Sequence, residues 1–460
     1  MQQNSIPYHE VDILIPAQQL EVNFSYASTV TLNFIDSMVL RLVKLSPMTV
    51  EEIANFLGIN QREVTIVLDD LIDKDEIHLT QNDRFNLTSK SLKYFKSIDS
   101  IPNVDSILEH TQNFIYELLS FNVVNKKLDN QMNGVKIPLN IESAASSEAK
   151  VRSIFQDQFY DLIEDGLLTL KSTGSNQPNI YKMGAVKKIK DCSIRKPLDL
   201  NMDISAIPLP IDGISEISTS ALEDHVLKTI GRVKKGSNVG EITRNLAGFE
   251  SLGLNKYFEN EKFQPNKILN DVIESFITKD SKQNYMFVGP CYSKGNSDIL
   301  LNKIRGHCED KKFQQKLYWL APSDGFWGKS QRFISFVDSL NQVKSKNDKL
   351  NVTCYLPLSD ERDNFSKSNY RNILDRNHYH NFFGIKDDIL NGDFEILLLE
   401  NEFVIVIIHI QDSEQEFLTS FPIGVISHDF ELTQSLTQLF KQWDQKIEDG
   451  GRNFGQIFKK

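Results

Sequence analysis

Carboxylates and histidines towards the carboxy terminus are the residues of this chain best suited to chemistry. In DFEILLLE, Asp393 and Glu395 stand two apart, so an extended strand turns both to one face and Glu400 to the other. A hard cation such as Mg²⁺ needs several oxygens from one direction, which this pattern supplies only in part. His378 and His380 in RNHYHNF have the spacing of two metal ligands on a strand, with His409 or Cys354 as the third ligand such a site requires. A surface loop explains that pair more simply, and no metal or cofactor is expected. Ser427, His428 and Asp324 include the residue types of a Ser/His/Asp triad. No nucleophile elbow surrounds Ser427, and neighbours on a strand face opposite ways, so the triad is set aside.

Two loops offer binding rather than bond-making. GPCYSKGN (289–296) follows a strand and precedes a helix, so its backbone N–H groups suit an anion, with Lys294 assisting. It is not a Walker A motif, and an ordinary strand-to-helix loop accounts for it equally. APSDGFWGK (321–329) also follows a strand, at the place where α/β domains bind ligands. Phe326, Trp327 and Lys329 could stack on and hold a base, a sugar or a partner side chain, and Trp327 serves equally as core. Lys294, Trp327 and Lys329 are the candidate ligand-binding residues.

Composition bounds what positions them. The 460 residues are 40% hydrophobic and 25% charged, enough for about two to four domains with real cores. Lys and Arg number 51 against 62 Asp and Glu, a net charge of −11, which excludes coating nucleic acid or anionic membrane through bulk charge. Any such contact must be a local patch. No apolar run is long enough to span a bilayer, and MQQNSIPYHEVDILIP lacks a basic n-region followed by an apolar stretch. The four cysteines, Cys192, Cys291, Cys308 and Cys354, form no C-x-x-C. The expectation is a soluble, unprocessed, cytoplasmic protein.

Residues 31–95 carry winged-helix grammar: three helical patterns and then two short strands. Leu32, Ile35, Met38, Val39 and Leu42 recur at helical spacing. Thr49 and Glu52 form a capping box ahead of VEEIANFLG, and Gly58 ends that helix. Asn60 caps QREVTIVLDDLIDK, whose Val64, Val67, Leu68 and Leu71 form one apolar face. Gln81, Asn82 and Asp83 turn EIHLT back into RFNLT as a wing. The third helix is rich in acids towards its far end, but base contacts come from its start, where Asn60, Gln61, Arg62 and Thr65 sit. Arg84 and Lys90, with Lys93 and Lys96, suit the phosphate backbone. The same fold holds proteins together equally often, so docking or dimerisation stays open.

In the middle region, residues 104–128 read as an amphipathic helix through Ile107, Phe114, Leu118 and Leu119, and residues 148–165 as a second helix ending at Gly166. STGSNQPN (172–179) reads as a loop or hairpin tip. Residues 181–196 form the most basic window and read as a strand pair. Lys187, Lys188 and Lys190 there could bind phosphate, although edge lysines more often protect strands from aggregation. Residues 197–220 read as an extended connector, and helices follow at 220–232 and 266–278. From Gln283 onward strand and helix segments alternate, which predicts an α/β layer with a largely parallel sheet, and a strand run and a final helix close the chain.

This last part resembles a single phospholipase-D-like repeat over residues 283–443, by pattern more than identity. Active members carry H-x-K-x(4)-D, then Gly-Ser and Asn. In that frame Asp393 stands for the nucleophilic His, Glu395 for the Lys, Glu400 for the acid, Ile407 and Ile408 for Gly-Ser, and Gln411 for the Asn. No H-x-K occurs in the chain. The mechanism needs a neutral imidazole to attack phosphorus and cations to stabilise the oxygens, so the resemblance implies a pseudo-enzyme. A winged helix ahead of such a domain is similar to the TrmB type of sugar-responsive transcription regulators, in which the degenerate domain senses ligand and supports oligomerisation. This chain departs from that type by the long middle region.

The reading is therefore a multidomain α+β and α/β protein: a winged helix over 1–100, a middle α+β region with basic strands over 101–280, and an α/β degenerate phospholipase-D-like domain over 281–460. Its expected role is a non-catalytic DNA-binding regulator or adaptor on double-stranded DNA, with ligand sensing or assembly by the last domain. Homo-oligomers are compatible with it, and no membrane contact is expected. The alternatives are a structural subunit of a bacterial DNA-processing or antiviral defence complex, with the winged helix making protein contacts, and a metal-dependent nuclease or hydrolase.

Overall fold

The computed structural model describes residues 5–95, 101–125, 133–170, 178–211, 220–233, 236–278, 284–310, 315–347, 350–360, 362–374, 381–386, 389–446 and 453–457. A strand of 26 residues, β1 (Ile6–Thr31), leads into α1 (Phe34–Leu45), α2 (Val50–Leu57) and α3 (Gln61–Asp73) and the hairpin β2 (Ile77–Leu79) and β3 (Phe85–Leu87). Capping fixes these helices as expected. Thr49 and Glu52 make a reciprocal capping box on α2, Asn60 and Glu63 make one on α3, and Gly58 ends α2 at φ +67°. Val39, Leu40, Val43, Ile53, Val64, Leu68 and Leu71 pack with Phe85 and Leu87. One detail differs: Ile35 is exposed, because α1 starts at Phe34 and turns its first hydrophobic residues outward.

The segment expected as a helix over 104–128 is instead β4 (Asn103–Glu117), antiparallel to β1 from Ala17↔Glu117 to Thr31↔Asn103. Its β-branched and aromatic residues fit a strand, and Phe114, Tyr116 and Leu118 fall on one face at a period of two. After β5 (Val135–Lys136) come α4 (Ile141–Ala145) and α5 (Ser147–Glu164), the latter followed by Gly166 at φ +70°. On α5, Val151, Phe155 and Phe159 pack against Leu20, Val22, Phe24 and Tyr26, the alternate residues of β1. The basic window is one strand, β6 (Asn179–Met202), along the other side of β1, and not a pair. At Gly184, where a turn was available, the chain stays extended. A Cβ there would lie 2.2 Å from Asn23 Oδ1, so glycine allows the close approach at this irregularity in register. The STGSNQPN tip lies almost wholly outside the described residues.

Next come α6 (Ser220–Val233), α7 (Val239–Asn245), the two-residue strands β7 (Phe258–Glu259) and β8 (Lys262–Phe263), and α8 (Pro265–Thr278). The carboxy-terminal unit is built on β9 (Tyr285–Val288), β10 (Gln315–Leu320), β11 (Leu350–Leu358), β12 (Asn381–Lys386), β13 (Phe394–Leu399), β14 (Phe403–Ile410), β15 (Phe421–Ser427) and β16 (Asn453–Gln456). They form one eight-stranded sheet in the order β16-β12-β11-β10-β13-β14-β15-β9. Only the β10–β11 and β11–β12 pairs are parallel, so the expected largely parallel sheet is mixed. The alternation with helices stops after α11 (Asn364–Leu374), and tight turns such as Glu400–Asn401, with Asn401 at φ +61°, then enforce antiparallel neighbours. One sheet face packs on α9 (Lys294–Asp310) and α10 (Gln331–Asn347), the other on α7, α8 and α12 (Phe430–Lys446). Among the described residues no helix is long and apolar enough to cross a membrane.

Candidate functional site

The carboxyl ends of β10 and β14 and the amino ends of β13 and β15 meet at one end of these interior strands, where polar residues interrupt otherwise apolar sequence. Asp393 lies just before β13 and its carboxylate accepts from the Asn238 side chain at 2.7 Å, while Glu395 lies within the strand; the register of β14 brings His409 alongside, its backbone N–H donating to the Asp393 carbonyl at 2.8 Å. His409 Nε2 lies 3.1 Å from Glu395 Oε2, and its Nδ1 lies 2.9 Å from Asp324 Oδ2. Oxygens of carboxylates on both sides make both ring nitrogens donors, so His409 is an imidazolium. Ser420 also donates to Asp324, and the Phe326 N–H donates to its other oxygen at 3.1 Å.

Glu395 is held as firmly. Its Oε1 accepts from the indole N–H of Trp319 at 2.9 Å, from that of Trp327 at 3.0 Å and from the Cys291 thiol at 3.5 Å. The loop after β10 that carries Asp324 and Trp327 is itself clamped. Asp12 donates its N–H to the Lys329 carbonyl at 2.7 Å, and the Asn133 side chain reaches the Gly328 and Ser330 carbonyls. Glu10 accepts from Ser330 and pairs with Arg332.

Electrostatics follow from this packing. Burial alone would lower the His409 pKa, but hydrogen bonds and charge from Asp324 and Glu395 push it up to about 9. Burial alone would raise the Asp324 carboxyl, and His409, His9 and Ser420 hold it down at about 2. His9, buried beside this group, is pushed down to about 4 by desolvation, with Asp324 opposing. Burial drives the Cys291 thiol well up, with Glu395 adding to it, so this cysteine is not a nucleophile.

Two clefts open on either side of Ser323 and Asp324. One, of about 320 Å³, is bounded by Asn238, Glu241, Asp393, His409 and Gln411. The other, of about 280 Å³, is bounded by Trp327, Lys329, Asp363, Asn369 and Tyr370. Lys329 donates to Asn369 at 3.1 Å, and burial, with Lys136 adding, lowers its pKa to about 8.

The sequence-derived residues distribute as follows. Trp327 and Lys329 line one cleft together, but Trp327 is 3% exposed and its indole is committed to Glu395, which makes it core rather than an open stacking platform. Phe326 is fully buried. Lys294 is exposed at the start of α9, and in its loop Asn296 bonds the carbonyls of Val288, Gly289 and Pro290. Glu400 sits at the far end of β13, paired with Lys441, while Ile407 and Ile408 are core. Asp324 does pair with a histidine and a serine, namely His409 and Ser420, and not with Ser427 and His428. Cys354 is buried in the sheet, and His378 and His380 lie outside the described residues.

On the candidate DNA surface, Asn60, Gln61, Arg62 and Thr65 are all exposed at the start of α3. Asn60 is used as the cap and the Thr65 hydroxyl bonds the Gln61 carbonyl, while Gln61 and Arg62 make no side-chain bond among the described residues. Arg84 forms a two-point ion pair with Glu52, and Lys90 donates to the Lys74 carbonyl, so both are committed within the module. Lys96 lies outside the described residues. On β6, Lys187 stands opposite Glu21 and Lys190 opposite Gln19, on the sheet face away from α5, while Lys188 pairs with Asp191.

Asn238, Ser420 and Trp319 escaped sequence reading. The signal for the site was present nonetheless, in single polar residues set into apolar strands. No family model matches this chain, and no curated protein matches it. Among solved structures it is similar to TrmBL2, described as an archaeal chromatin protein with a novel mode of DNA binding, at 13% identity and a TM-score of 0.21, over 49% of this chain and 69% of that one. It is also similar to Nuc, a phospholipase D family member from Salmonella typhimurium, at 15% identity and a TM-score of 0.20, over 33% of this chain and 90% of that one. At such scores neither likeness carries an argument about function.

Proposed function

We propose that this chain is a non-catalytic DNA-binding regulator or adaptor, in which the start of α3 contacts duplex DNA and the eight-stranded unit serves ligand sensing or assembly. His409 is the observation that carries the non-catalytic part. A nucleophilic or proton-shuttling imidazole needs one nitrogen open to substrate, and both nitrogens of His409 are spent on buried carboxylates. Asp393 and Glu395 beside it oppose a phosphate, and no cation of the described residues stands in their place. On the DNA side, Gln61 and Arg62 have the chemistry and the exposure for base edges, and Lys187 and Lys190 add a second basic patch.

Turnover of bis(p-nitrophenyl) phosphate and of duplex DNA by the pure chain tests the non-catalytic claim. Rates equal to buffer are expected. Turnover that disappears in His409→Asn would overturn it.

A second reading is favoured by one specific feature. Phe34, Phe56, Ile66, Leu79 and Leu92 of the three-helix module are each more than half exposed. They suit a subunit of a DNA-processing or defence complex whose module contacts protein. Light scattering after gel filtration separates the two: a complex formed with a neighbouring gene product that buries α3 supports this second reading.

A further inference from the structure

We infer that the cleft between the loop after β10 and the start of α11 binds a small carboxylic acid through the Lys329 ammonium. This names the ligand class for the sensing role proposed above and rests on that reading only for its regulatory purpose. The parallel neighbours β10 and β11 end at this cleft and each is followed by a helix, which is where α/β layers take their ligands. A volume of about 280 Å³, with Trp327, Pro357 and Tyr370 in the wall, suits a small molecule with an apolar body.

Lys329 is partly buried and is the single cation among the described lining residues. An ammonium has three N–H donors. One goes to Asn369 Oδ1 at 3.1 Å, and the others meet no protein acceptor among the described residues. The two carboxylates of the wall are committed elsewhere. Asp324 accepts from His409, Ser420 and the Phe326 N–H, while Asp363 accepts from the Ser366 N–H at 2.9 Å and from the N–H and hydroxyl of Ser359 at 3.2 and 3.0 Å. The charge that Lys329 does feel is the like charge of Lys136, which adds to burial in lowering its pKa. A cation thus stands at the cleft without a counter-ion, on a backbone that Asp12 and Asn133 hold in place. An anionic oxygen arriving there accepts the remaining N–H groups and offsets the repulsion between the two lysines. Asp324 and Asp363 both have lowered pKa values and stay ionised in the same wall, so a carboxylate with one charge is favoured over a phosphate with two.

Isothermal titration of the full chain with acetate, pyruvate and benzoate, beside inorganic phosphate, glucose and putrescine, tests this. At least one of the three carboxylates should bind in the millimolar range or tighter, and Lys329→Met should weaken it by about tenfold or more. Lys136 is exposed, and Lys136→Glu, which sets a competing carboxylate near the ammonium, should weaken binding by about threefold or more. That variant decides the matter if Lys329→Met fails to fold. No binding by any carboxylate, phosphate binding as tight as theirs, binding of glucose or putrescine alone, or carboxylate binding indifferent to a folded Lys329→Met would overturn the assignment. The Arg62→Glu variant keeps the two proposals apart: it should bind carboxylate unchanged whether or not the parent binds DNA.

Discussion

His409 Nδ1 and Asp324 Oδ2 lie 2.9 Å apart across 85 residues of sequence, with side chains 2% and 1% exposed. A contact so far removed from water is an organising element of the fold, since removing either partner strands the other charge in low dielectric. It ties the loop after β10 to the end of β14 and leaves the imidazole no free nitrogen.

Stability should therefore depend on pH above neutrality. The folded His409 pKa, about 9, is raised above the ordinary 6.5, so its contribution is fully present below about 6.5 and is lost as pH rises through about 9. The shift corresponds to on the order of 3 kcal/mol. Urea denaturation between pH 6.5 and 9.5 should show the parent losing stability relative to His409→Gln, which is weaker throughout and keeps the opposite drift of Lys329, whose lowered pKa of about 8 favours the folded state as pH rises. Equal slopes in the two proteins would contradict the ion triad.

On the acid side the sign reverses. Asp324, held down at about 2, contributes stability that is present above about 3.8 and lost as pH falls through about 2. His9, folded neutral with a pKa of about 4, makes the protein weaken as pH falls from 6.5 towards 4. His9→Phe should flatten the decline between pH 6.5 and 4, followed by the thermal midpoint, and an undiminished decline would place its cause elsewhere.

Glu395 joins Trp319, Trp327, Cys291 and His409. Glu395→Leu would leave two indole N–H groups and an imidazole nitrogen unpaired in the core. A loss of about 3–5 kcal/mol is expected from chemical denaturation, with changed tryptophan emission. A loss under about 1 kcal/mol would show that these bonds are not made.

Close packing of β15 against β9 gives a test of the sheet order. A Cβ at Gly424 would lie 2.0 Å from the Phe287 ring, which is itself buried. Gly424→Ala should cost about 1–3 kcal/mol through forced displacement of that ring. Gly424→Ala with Phe287→Leu should recover part of the loss; two independent, additive losses would contradict the contact.

Local signals made the three-helix module legible, because Thr49 with Glu52 and Asn60 with Glu63 are contacts within one turn. Residues 104–128 misled for a physical reason: Ile107, Phe114 and Leu118 fit a helical face as well as a strand, and only the 26-residue partner β1 decides between them. At the site, the period of two suggested one face for Asp393 and Glu395, but Asp393 precedes β13 and bonds Asn238, while Glu395 bonds Trp319 and Trp327. The pairing of His409 with Glu395 depends on strand register, and its pairing with Asp324 on a contact with the loop after β10. Neither is written in local spacing, so a motif-based frame found only missing catalytic residues where the structure holds a closed ion triad.

The most direct test of the DNA-binding claim is the fluorescence anisotropy of labelled duplex titrated with the full chain at several salt concentrations. Arg62→Glu and Lys187→Glu/Lys190→Glu are run beside the parent. Binding that falls steeply with salt, and that Arg62→Glu weakens by about tenfold or more while the lysine variant loses less, is the predicted result. No binding near roughly 100 mM salt, or binding indifferent to Arg62→Glu, would contradict a DNA reader built on α3.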